Sequence, residues 1–291
     1  MNQFIRAVGF KEYNTRKKIR QLLSYVQKNA SRIEEYPIRE EETLRVYEMD
    51  VADCVGITVV SMIDEDGFEE IESYFPYVKG LNFLFHDHLE FEPFHHKTGY
   101  ACICDDNNLG IPLIFHVNNI VEYLNMKKHG MEEDINSIVL SGIAREGIVI
   151  LSVEKDEYQL QKEERENEIR NQRIDAAKAG DVEAMERLTL EDMDTYTMVN
   201  NRSKTEDIFT IVTSYFMPYS IECDQYSILG NIIAVNEIAN KITGEPMYYI
   251  SVECNSIQIE IVIAKKNIVG IPEPGRRFKG HIWLQGEIDC M

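Results

Sequence analysis

The first strong pattern of apolar and polar positions along the chain has the period of a helix. Four apolar residues recur at i, i+3, i+4 and i+7, which places them on one stripe. They are Ile19, Leu22, Leu23 and Val26. Asn14 or Thr15 is a natural N-cap just before this stripe. The pattern therefore predicts a helix over residues 15–29.

Beyond Pro37 the pattern takes the period of strands. The β-branched run at 55–63 suits a central strand, and the neighbouring segments alternate between apolar and polar positions. The predicted elements are strands at 44–49, 55–63, 81–91, 99–104 and 111–117, a helix at about 118–128, and two strands within 137–153 around Arg145-Glu146-Gly147. We therefore interpret residues 1–153 as one α+β domain with a mostly antiparallel sheet.

Residues 154–217 are predicted to form a charged helical connector. Gly180-Asp181 ends its first helix and caps the next, and capping-box patterns begin at Thr189 and Ser203. A further helix, bounded by Pro218, carries an apolar stripe formed by Ile208, Ile211, Val212 and Tyr215. The first helix lacks a wide apolar stripe, which favours a solvated connecting helix over the alternative, a helix that binds a partner.

Residues 218–291 have the pattern of a β-rich domain. A long strand at 226–235 contains Gly230, which suits a strongly bent barrel strand because glycine tolerates a kink or bulge. A hairpin at 247–253 and 257–263 follows, and residues 278–288 supply one or two further strands. Such a segment resembles an OB-fold, a small five-stranded barrel. A curled antiparallel sheet explains the same pattern.

The charge of the chain is strongly negative and uneven. The formal net charge is −20. Residues 51–157 hold six basic and twenty acidic groups, whereas residues 1–32 hold eight basic groups and one acidic group. A negative surface repels phosphate backbones, which argues against nucleic acid as a partner. No membrane span, no signal peptide and six scattered cysteines together predict a cytoplasmic protein with reduced thiols.

One window concentrates residue types that bind metals. It contains His86, His88, His95, His96, Cys102, Cys104 and His116. On strands, His86 and His88 share one face, and so do Cys102 and Cys104. Imidazole and thiolate are good zinc ligands, so His86, His88, Cys102, Cys104 and His116 form a candidate metal site. Their spacing matches no known zinc module, and the alternative is solvated histidines with two cysteines in the core.

A second candidate surface lies near the end of the β-rich segment. Arg276, Arg277, Lys279 and His281 stand close to the single Trp283, a mixture that could stack and neutralise single-stranded nucleic acid. Residues 218–291 hold six basic and nine acidic groups, which is a poor surface for phosphates. We therefore expect Trp283 in the core, and the alternative role of the arginine pair is a salt bridge to Glu or Asp of the helical connector.

No motif of a known catalytic class is present: the sequence has no P-loop, no nucleophile elbow and no dinucleotide fingerprint. We therefore expect no cofactor and leave the catalytic residues unassigned. The sequence favours a non-catalytic protein that binds another protein or acts as a scaffold. The alternatives are metal binding or a metal-dependent activity in the window 86–116, and single-stranded nucleic-acid binding by the β-rich segment.

Five segments resemble a bacterial family of about this length that carries only a domain-of-unknown-function label. They are residues 4–10, the stretch 99–118, residues 190–196, residues 216–219 with 222–226, and residues 277–280 with 282–286. The resemblance covers the whole chain. It implies a cytoplasmic bacterial protein and supplies no activity, cofactor or catalytic residue. It also implies that the histidines at 86, 88, 95 and 96 lie outside the shared pattern.

Overall fold

The fold is known from a computed structural model, which describes residues 2–39, 42–86, 88–93, 99–106, 109, 111–153 and 157–289. The structure is a mixed α+β fold, as the sequence predicts. Its helices are α1 (Asn2–Ala7), α2 (Arg16–Asn29), α3 (Ile120–Lys128), α4 (Glu157–Lys178), α5 (Val182–Arg202) and α6 (Ile208–Ile211). Single 3₁₀ turns cover Glu132–Asp134 and Lys265–Asn267.

The first sheet is a four-stranded antiparallel meander. Its strands follow chain order: β1 (Arg32–Arg39), β2 (Glu42–Ala52), β3 (Val55–Ile63) and β4 (Glu69–Val78). Helix α2 buries its predicted apolar stripe against β2 and β3, and the hydroxyl of Thr15 caps it by accepting a hydrogen bond from the Lys18 N–H. The helix prediction over 15–29 is confirmed. The pattern did not reveal β1 and β4, whose residues are half polar.

The second sheet is larger and contains a closed barrel. Its strands are β5 (Phe83–Phe85), β6 (Glu90–Pro93), β7 (Tyr100–Asp106), β8 (Ile111–Val117), β9 (Ser137–Ile150), β10 (Tyr215–Pro218), β11 (Gln225–Ala239), β12 (Pro246–Cys254), β13 (Ile257–Ala264), β14 (Ile268–Val269) and β15 (Arg277–Asp289). Strands β11, β12, β13, β9 and β15 pair in this order, and β15 pairs back onto β11, which closes a barrel of five strands.

The barrel draws one of its strands from the first half of the chain. Strand β9 is antiparallel to β15 and parallel to β13. Strand β15 also continues onto β8, which extends the barrel into β7 and β6. The shared sheet therefore joins residues of the first and the last predicted domain. The predicted boundaries at 153 and 218 stay predictions.

Several local predictions were wrong for identifiable reasons. Residues 137–150 form one strand, because the expected turn around Arg145 is a bulge opposite the His281–Ile282 step of β15. The alternating segment 81–91 divides into the short strands β5 and β6. Thr189 lies inside α5, so it caps nothing, whereas Asp181 is the N-cap as predicted.

The end of the connector also differs from its prediction. The expected helix before Pro218 is reduced to the four residues of α6, whose N-cap is Asp207 rather than Ser203. The chain then pairs with β11 as strand β10. Backbone pairing to a long barrel strand therefore prevails over the apolar helical spacing.

Apolar residues fill the barrel from all five strands. Ile228, Ile250, Ile261, Leu284 and Leu140 are each fully buried. Strand β11 has a register shift between Ile232 and Ala234, and not at Gly230, where the sequence predicted a kink or bulge. At Gly230 a Cβ atom would stand 2.4 Å from the carbonyl oxygen of Glu253, so glycine is required there by the close approach of β12.

Candidate functional site

The two cysteines of the predicted metal site belong to the core. Cys102 and Cys104 point to the same face of β7, opposite Phe115 and Leu113 of β8. Burial raises the pKa of Cys102 above its usual range and that of Cys104 to about 12, where Asp106 adds a smaller effect. Metals bind the thiolate form, which this environment disfavours.

His116 lies on the other face of the same strands. It follows Phe115 in β8 and is therefore turned away from the cysteines. Its ring packs against Phe75, with centroids 4.5 Å apart, and against Trp283 at 5.2 Å. Burial lowers the pKa of His116 to about 4, so the imidazole is neutral at neutral pH. His116 is a residue of the interface between the two sheets.

His86 and His88 border a different region. Both line a cleft of about 690 Å³ between strands β5 to β7 and helix α4. His88 Nε2 lies 3.2 Å from a carboxylate oxygen of Glu90, and both side chains are exposed. His95 and His96 lie outside the described residues. Within the described residues, no three His, Cys, Asp or Glu side chains are arranged to hold a metal ion. A site formed by the complete window stays a prediction.

The predicted cationic surface is engaged within the chain. Arg277 is buried, and its guanidinium donates to the carbonyl oxygens of Leu151 at 3.0 Å and Val212 at 3.4 Å. Lys279 lies over the ring of Phe209, with Nζ 4.6 Å from the centroid. Arg277 therefore contacts the connector at Val212 through a backbone carbonyl, and not through the carboxylates that the sequence suggested.

The other two residues of this set also have partners within the chain. His281 stacks on Tyr219 with centroids 3.7 Å apart, and Arg276 forms an ion pair with Glu273 at 2.8 Å. The predicted core position of Trp283 is confirmed, and its indole N–H donates to Asp224 at 2.7 Å. These contacts leave little cationic surface on this part of β15 for a phosphate chain.

The outer face of the barrel carries a polar row that the sequence analysis did not find. Five buried polar residues are successive cross-strand partners on β12, β13, β9, β15 and β8. They are Ser251, Glu260, Ser141, Gln285 and His116, and we name them the polar row. One signal was present in the sequence: Glu260 is a single charge inside the apolar run of β13.

The polar row holds the end of β4 and the segment after it. Gln285 accepts a hydrogen bond from the Val78 N–H at 3.2 Å and donates to the Pro76 carbonyl at 2.8 Å. Ser141 donates to the Val78 carbonyl at 2.7 Å. The first sheet is therefore fixed to the barrel by side-chain bonds to its backbone, which no pattern of apolar residues encodes.

Glu260 extends this attachment beyond β4. Its carboxylate is fully buried and accepts hydrogen bonds from the Leu81 N–H at 3.0 Å, the Asn82 amide at 2.9 Å and the Ser251 hydroxyl at 3.0 Å. Tyr249 of β12 donates to the Lys79 carbonyl at 2.8 Å. The outer face of β12 and β13 is thus covered by the chain's own segment 76–82.

Helices α4 and α5 form an antiparallel hairpin that is held together by ion pairs. Arg170 of α4 forms an ion pair with Asp192 of α5 at 2.8 Å, and Arg173 pairs with Glu191. Between Val182 and Arg202, Ala184 is the one buried side chain among the described residues of α5. The hairpin therefore buries little apolar surface of its own.

Helix α5 instead displays apolar side chains to solvent. Val182, Met185, Met193 and Tyr196 recur at helical spacing on one side, and we name them the α5 stripe. The exposed fraction is 62% for Met193 and 74% for Tyr196. Both line a shallow groove of about 380 Å³ together with Thr189. The capping-box pattern at Thr189 predicted a helix start there, and this concealed the stripe in the sequence.

Comparison with known proteins gives one family. Residues 5–286 match the family model described as a domain of unknown function named after an E. rectale gene description. No curated protein and no solved structure matches the chain. Of the helices in the described ranges, none has both the length and the apolar content of a membrane-spanning segment.

Proposed function

Because the chain belongs to the DUF3881 family, whose description names no activity, we propose a function from its own surface. The protein is a non-catalytic protein-binding protein, and the α5 stripe receives a cationic amphipathic helix of a partner. The observation that carries the proposal is the exposure of Met193 and Tyr196 side by side on a helix that buries almost none of its apolar surface.

The chemistry of the stripe suits a helix as its occupant. Amphipathic helices bind through apolar anchors that share one face, and the stripe presents apolar side chains at i, i+3, i+11 and i+14 on one face of α5. Methionine adapts its shape to different apolar surfaces, and exposed tyrosine supplies a large contact at low entropic cost. Met193 and Tyr196 line the groove.

The negative charge of α5 favours a partner helix that is positively charged. Helix α5 carries five acidic residues, namely Glu183, Glu186, Glu191, Asp192 and Asp194, against Arg187 and Arg202. Its formal charge is therefore −3, within a chain of −20. Opposite charges around an apolar centre steer association and fix orientation, so the partner helix carries lysine or arginine beside its apolar face.

We propose further that the barrel is OB-like, with its strands permuted along the chain. The single parallel pair of the barrel, β13 with β9, and the closure of β15 onto β11 support this relationship. OB-folds bind oligonucleotides on an outer face of the barrel, and here segment 76–82 covers the outer face of β12 and β13, where Glu260 accepts hydrogen bonds from Leu81 and Asn82. This supports a structural barrel over the alternative of nucleic-acid binding. Five described cysteines with free thiols support a bacterial cytoplasmic location.

The test uses a photo-crosslinking amino acid at position 193 in the producing bacterium, with position 68 as the control. Phe68 is also exposed, at 67%, and belongs to the turn between β3 and β4 of the first sheet. The peptide crosslinked through position 193 is identified and synthesised. Its affinity is then measured by fluorescence anisotropy for the unaltered protein, Met193→Ser/Tyr196→Ser and Phe68→Ser, each checked for folding by circular dichroism.

The expected peptide is cationic and amphipathic, and it binds more weakly as salt increases. Loss of two central anchors reduces affinity by about tenfold or more, whereas Phe68→Ser has no effect. A crosslinked peptide that is acidic, or that comes from a second copy of this chain, contradicts the proposal. Equal affinity for the unaltered protein and the double variant contradicts it as well.

A further inference from the structure

The interface between the two sheets holds a pair of glutamates that no proposal above uses. Glu48 lies on β2 of the first sheet and Glu287 on β15 of the second. Burial raises the pKa of each above its usual range; Glu287 contributes to the rise at Glu48, and Glu122 to the rise at Glu287. Both carboxyl groups are half-buried, so a charge that reaches them acts in a region of lower dielectric than water.

Each glutamate has a buried polar neighbour on its own sheet. Thr58 is the direct cross-strand partner of Glu48. On the second sheet, Val117 is the strand partner of Gly286, and the next residue, Asn118, donates its N–H to the Gly286 carbonyl. Asn118 directly follows β8, and extending the alternation of β8 by one residue puts its side chain on the face of Glu287.

Both faces are turned toward each other. Thr58 is also the cross-strand partner of Phe75, whose ring lies 4.5 Å from that of His116. His116 precedes Asn118 by two residues and shares its face. The contact between Phe75 and His116 thus brings the Thr58 side of the first sheet against the Asn118 side of the second.

The neighbours are polar groups that the protein leaves without hydrogen-bond partners. Asn118 is 4% exposed and Thr58 1%. Neither polar atom of the Asn118 amide nor the Thr58 hydroxyl has a partner among the described residues. Buried polar side chains are nearly always satisfied, and leaving one unsatisfied is destabilising. These groups are therefore suited to a ligand that the protein atoms alone do not supply.

Two cations also act on the pair, since Arg32 and Lys79 each lower the pKa of both glutamates against the larger effect of burial. Arg32 lies 2.9 Å from Glu34, and Lys79 lies 3.6 Å from Asp50, so each has a carboxylate of its own. Glu122 accepts a hydrogen bond from the Asn119 amide and adds further negative charge near Glu287. The interface keeps an excess of negative charge around Glu48 and Glu287.

We propose that Glu48, Glu287, Asn118 and Thr58 supply the ligands of a hard divalent cation, Ca²⁺ or Mg²⁺, bound between the two sheets. Carboxylate, amide and hydroxyl oxygens are the donors that these ions prefer. The set contains two carboxylates and no histidine or cysteine, so its chemistry differs from that of the window 86–116. The cation joins β2 and β3 to β8 and β15, and its binding stabilises the contact between the sheets.

The experiment measures thermal unfolding after removal of divalent ions with a chelator, at neutral pH and constant ionic strength. Saturating CaCl₂ or MgCl₂ is expected to raise the Tm of the unaltered protein by about 5 °C. Isothermal titration calorimetry is expected to show one ion per chain. Glu48→Gln and Glu287→Gln keep the shape of each side chain, and each is expected to abolish most of the shift.

The control is Glu253→Gln, which removes an exposed carboxylate from β12 and leaves the shift intact. The same titration with NaCl separates specific binding from screening of the negative chain. Absence of a shift with both CaCl₂ and MgCl₂ overturns the proposal. An equal shift with NaCl, or an unchanged shift in the two glutamine variants, overturns it too.

Discussion

The hydroxyl of Tyr226 satisfies both backbone groups of Ile114. The Ile114 N–H donates to Tyr226 Oη at 2.8 Å, and Tyr226 Oη donates to the Ile114 carbonyl at 3.2 Å. Tyr226 lies in β11 and Ile114 in β8, two strands that follow one another along β15. The Tyr226 hydroxyl thus joins β11 to β8 at the point where β15 stops pairing with β11 and begins pairing with β8.

Replacing Tyr226 with phenylalanine is expected to lower the free energy of unfolding by about 2 kcal/mol, because both backbone groups of Ile114 lose their partner. Urea unfolding measures this loss. Tyr196→Phe is the matched control, since its side chain is exposed. Equal stability of Tyr226→Phe and the unaltered protein would show that the two bonds contribute nothing.

Glu260→Gln tests the polar row. The carboxylate accepts from Leu81, Asn82 and Ser251, and an amide would direct its own N–H₂ toward at least one of these donors. We expect a loss of about 2 to 3 kcal/mol in the free energy of unfolding, measured in urea. Glu253→Gln on the neighbouring strand changes an exposed carboxylate and should have no effect. If both variants lose the same stability, the buried bonds are not the cause.

Arg277→Met tests whether the arginine fastens the connector to the barrel. The substitution keeps the apolar stem and removes the donors to Leu151 and Val212, for an expected loss of about 2 kcal/mol. Limited proteolysis should then cleave the connector faster. Arg276→Met removes an exposed ion pair and serves as the control. A rate of cleavage that is the same in both variants would refute this role.

The burial of His116 makes stability depend on pH. Its pKa is about 4 in the folded protein and 6.5 for an ordinary histidine, so the unfolded chain takes up a proton first as the pH falls. The contribution of neutral His116 is complete above pH 6.5 and decreases by about 3 kcal/mol as the pH falls to 4.

The measurement is the difference in free energy of unfolding between the unaltered protein and His116→Gln at several pH values. This difference removes the contribution of Glu48 and Glu287, whose raised pKa values give the opposite slope: they lower stability as the pH rises. The difference should shrink from pH 6.5 to 4. A difference that is constant over this interval would contradict the burial argument.

Local pattern predicted the elements whose partners are near in sequence. The stripe of α2 and the hairpin of β12 and β13 depend on neighbouring residues, and both are present where expected. The long strand β9 was misjudged at Gly147, where a Cβ atom would stand 2.4 Å from the ring of Phe278. That glycine serves packing inside a barrel, and a sequence alone does not distinguish it from a turn glycine.

The candidate sites were harder to predict than the fold. Strand alternation correctly placed Cys102 and Cys104 on one face, but it does not say which face is the core. Placing His116 on the opposite side required the register of β7 and β8. The polar row joins residues of five strands through long-range pairing, so only Glu260, a charge within an apolar strand, gave a local sign of it.

The barrel also predicts that the C-terminal fragment does not fold when it is separated from the rest of the chain. Residues 218–291 alone contain β11, β12, β13 and β15 but lack β9. The apolar inner face of β13 and β15 would then be left open, so this fragment is expected not to fold by itself. A ¹H–¹⁵N spectrum of the fragment should show narrow amide dispersion. A well-dispersed spectrum would contradict the requirement for β9.

Because β15 is the last strand in the sequence, the barrel can close only late in synthesis. During synthesis β8, β9 and β11 are all made before β15, which pairs with each of them. Until β15 is available, those three strands have open edges, and open edges are templates for aggregation. Closure also joins partners far apart in the chain, which makes it slow. Folding of the nascent protein is therefore delayed until after residues 277–289 are made, and this interval is when it most needs protection by chaperones.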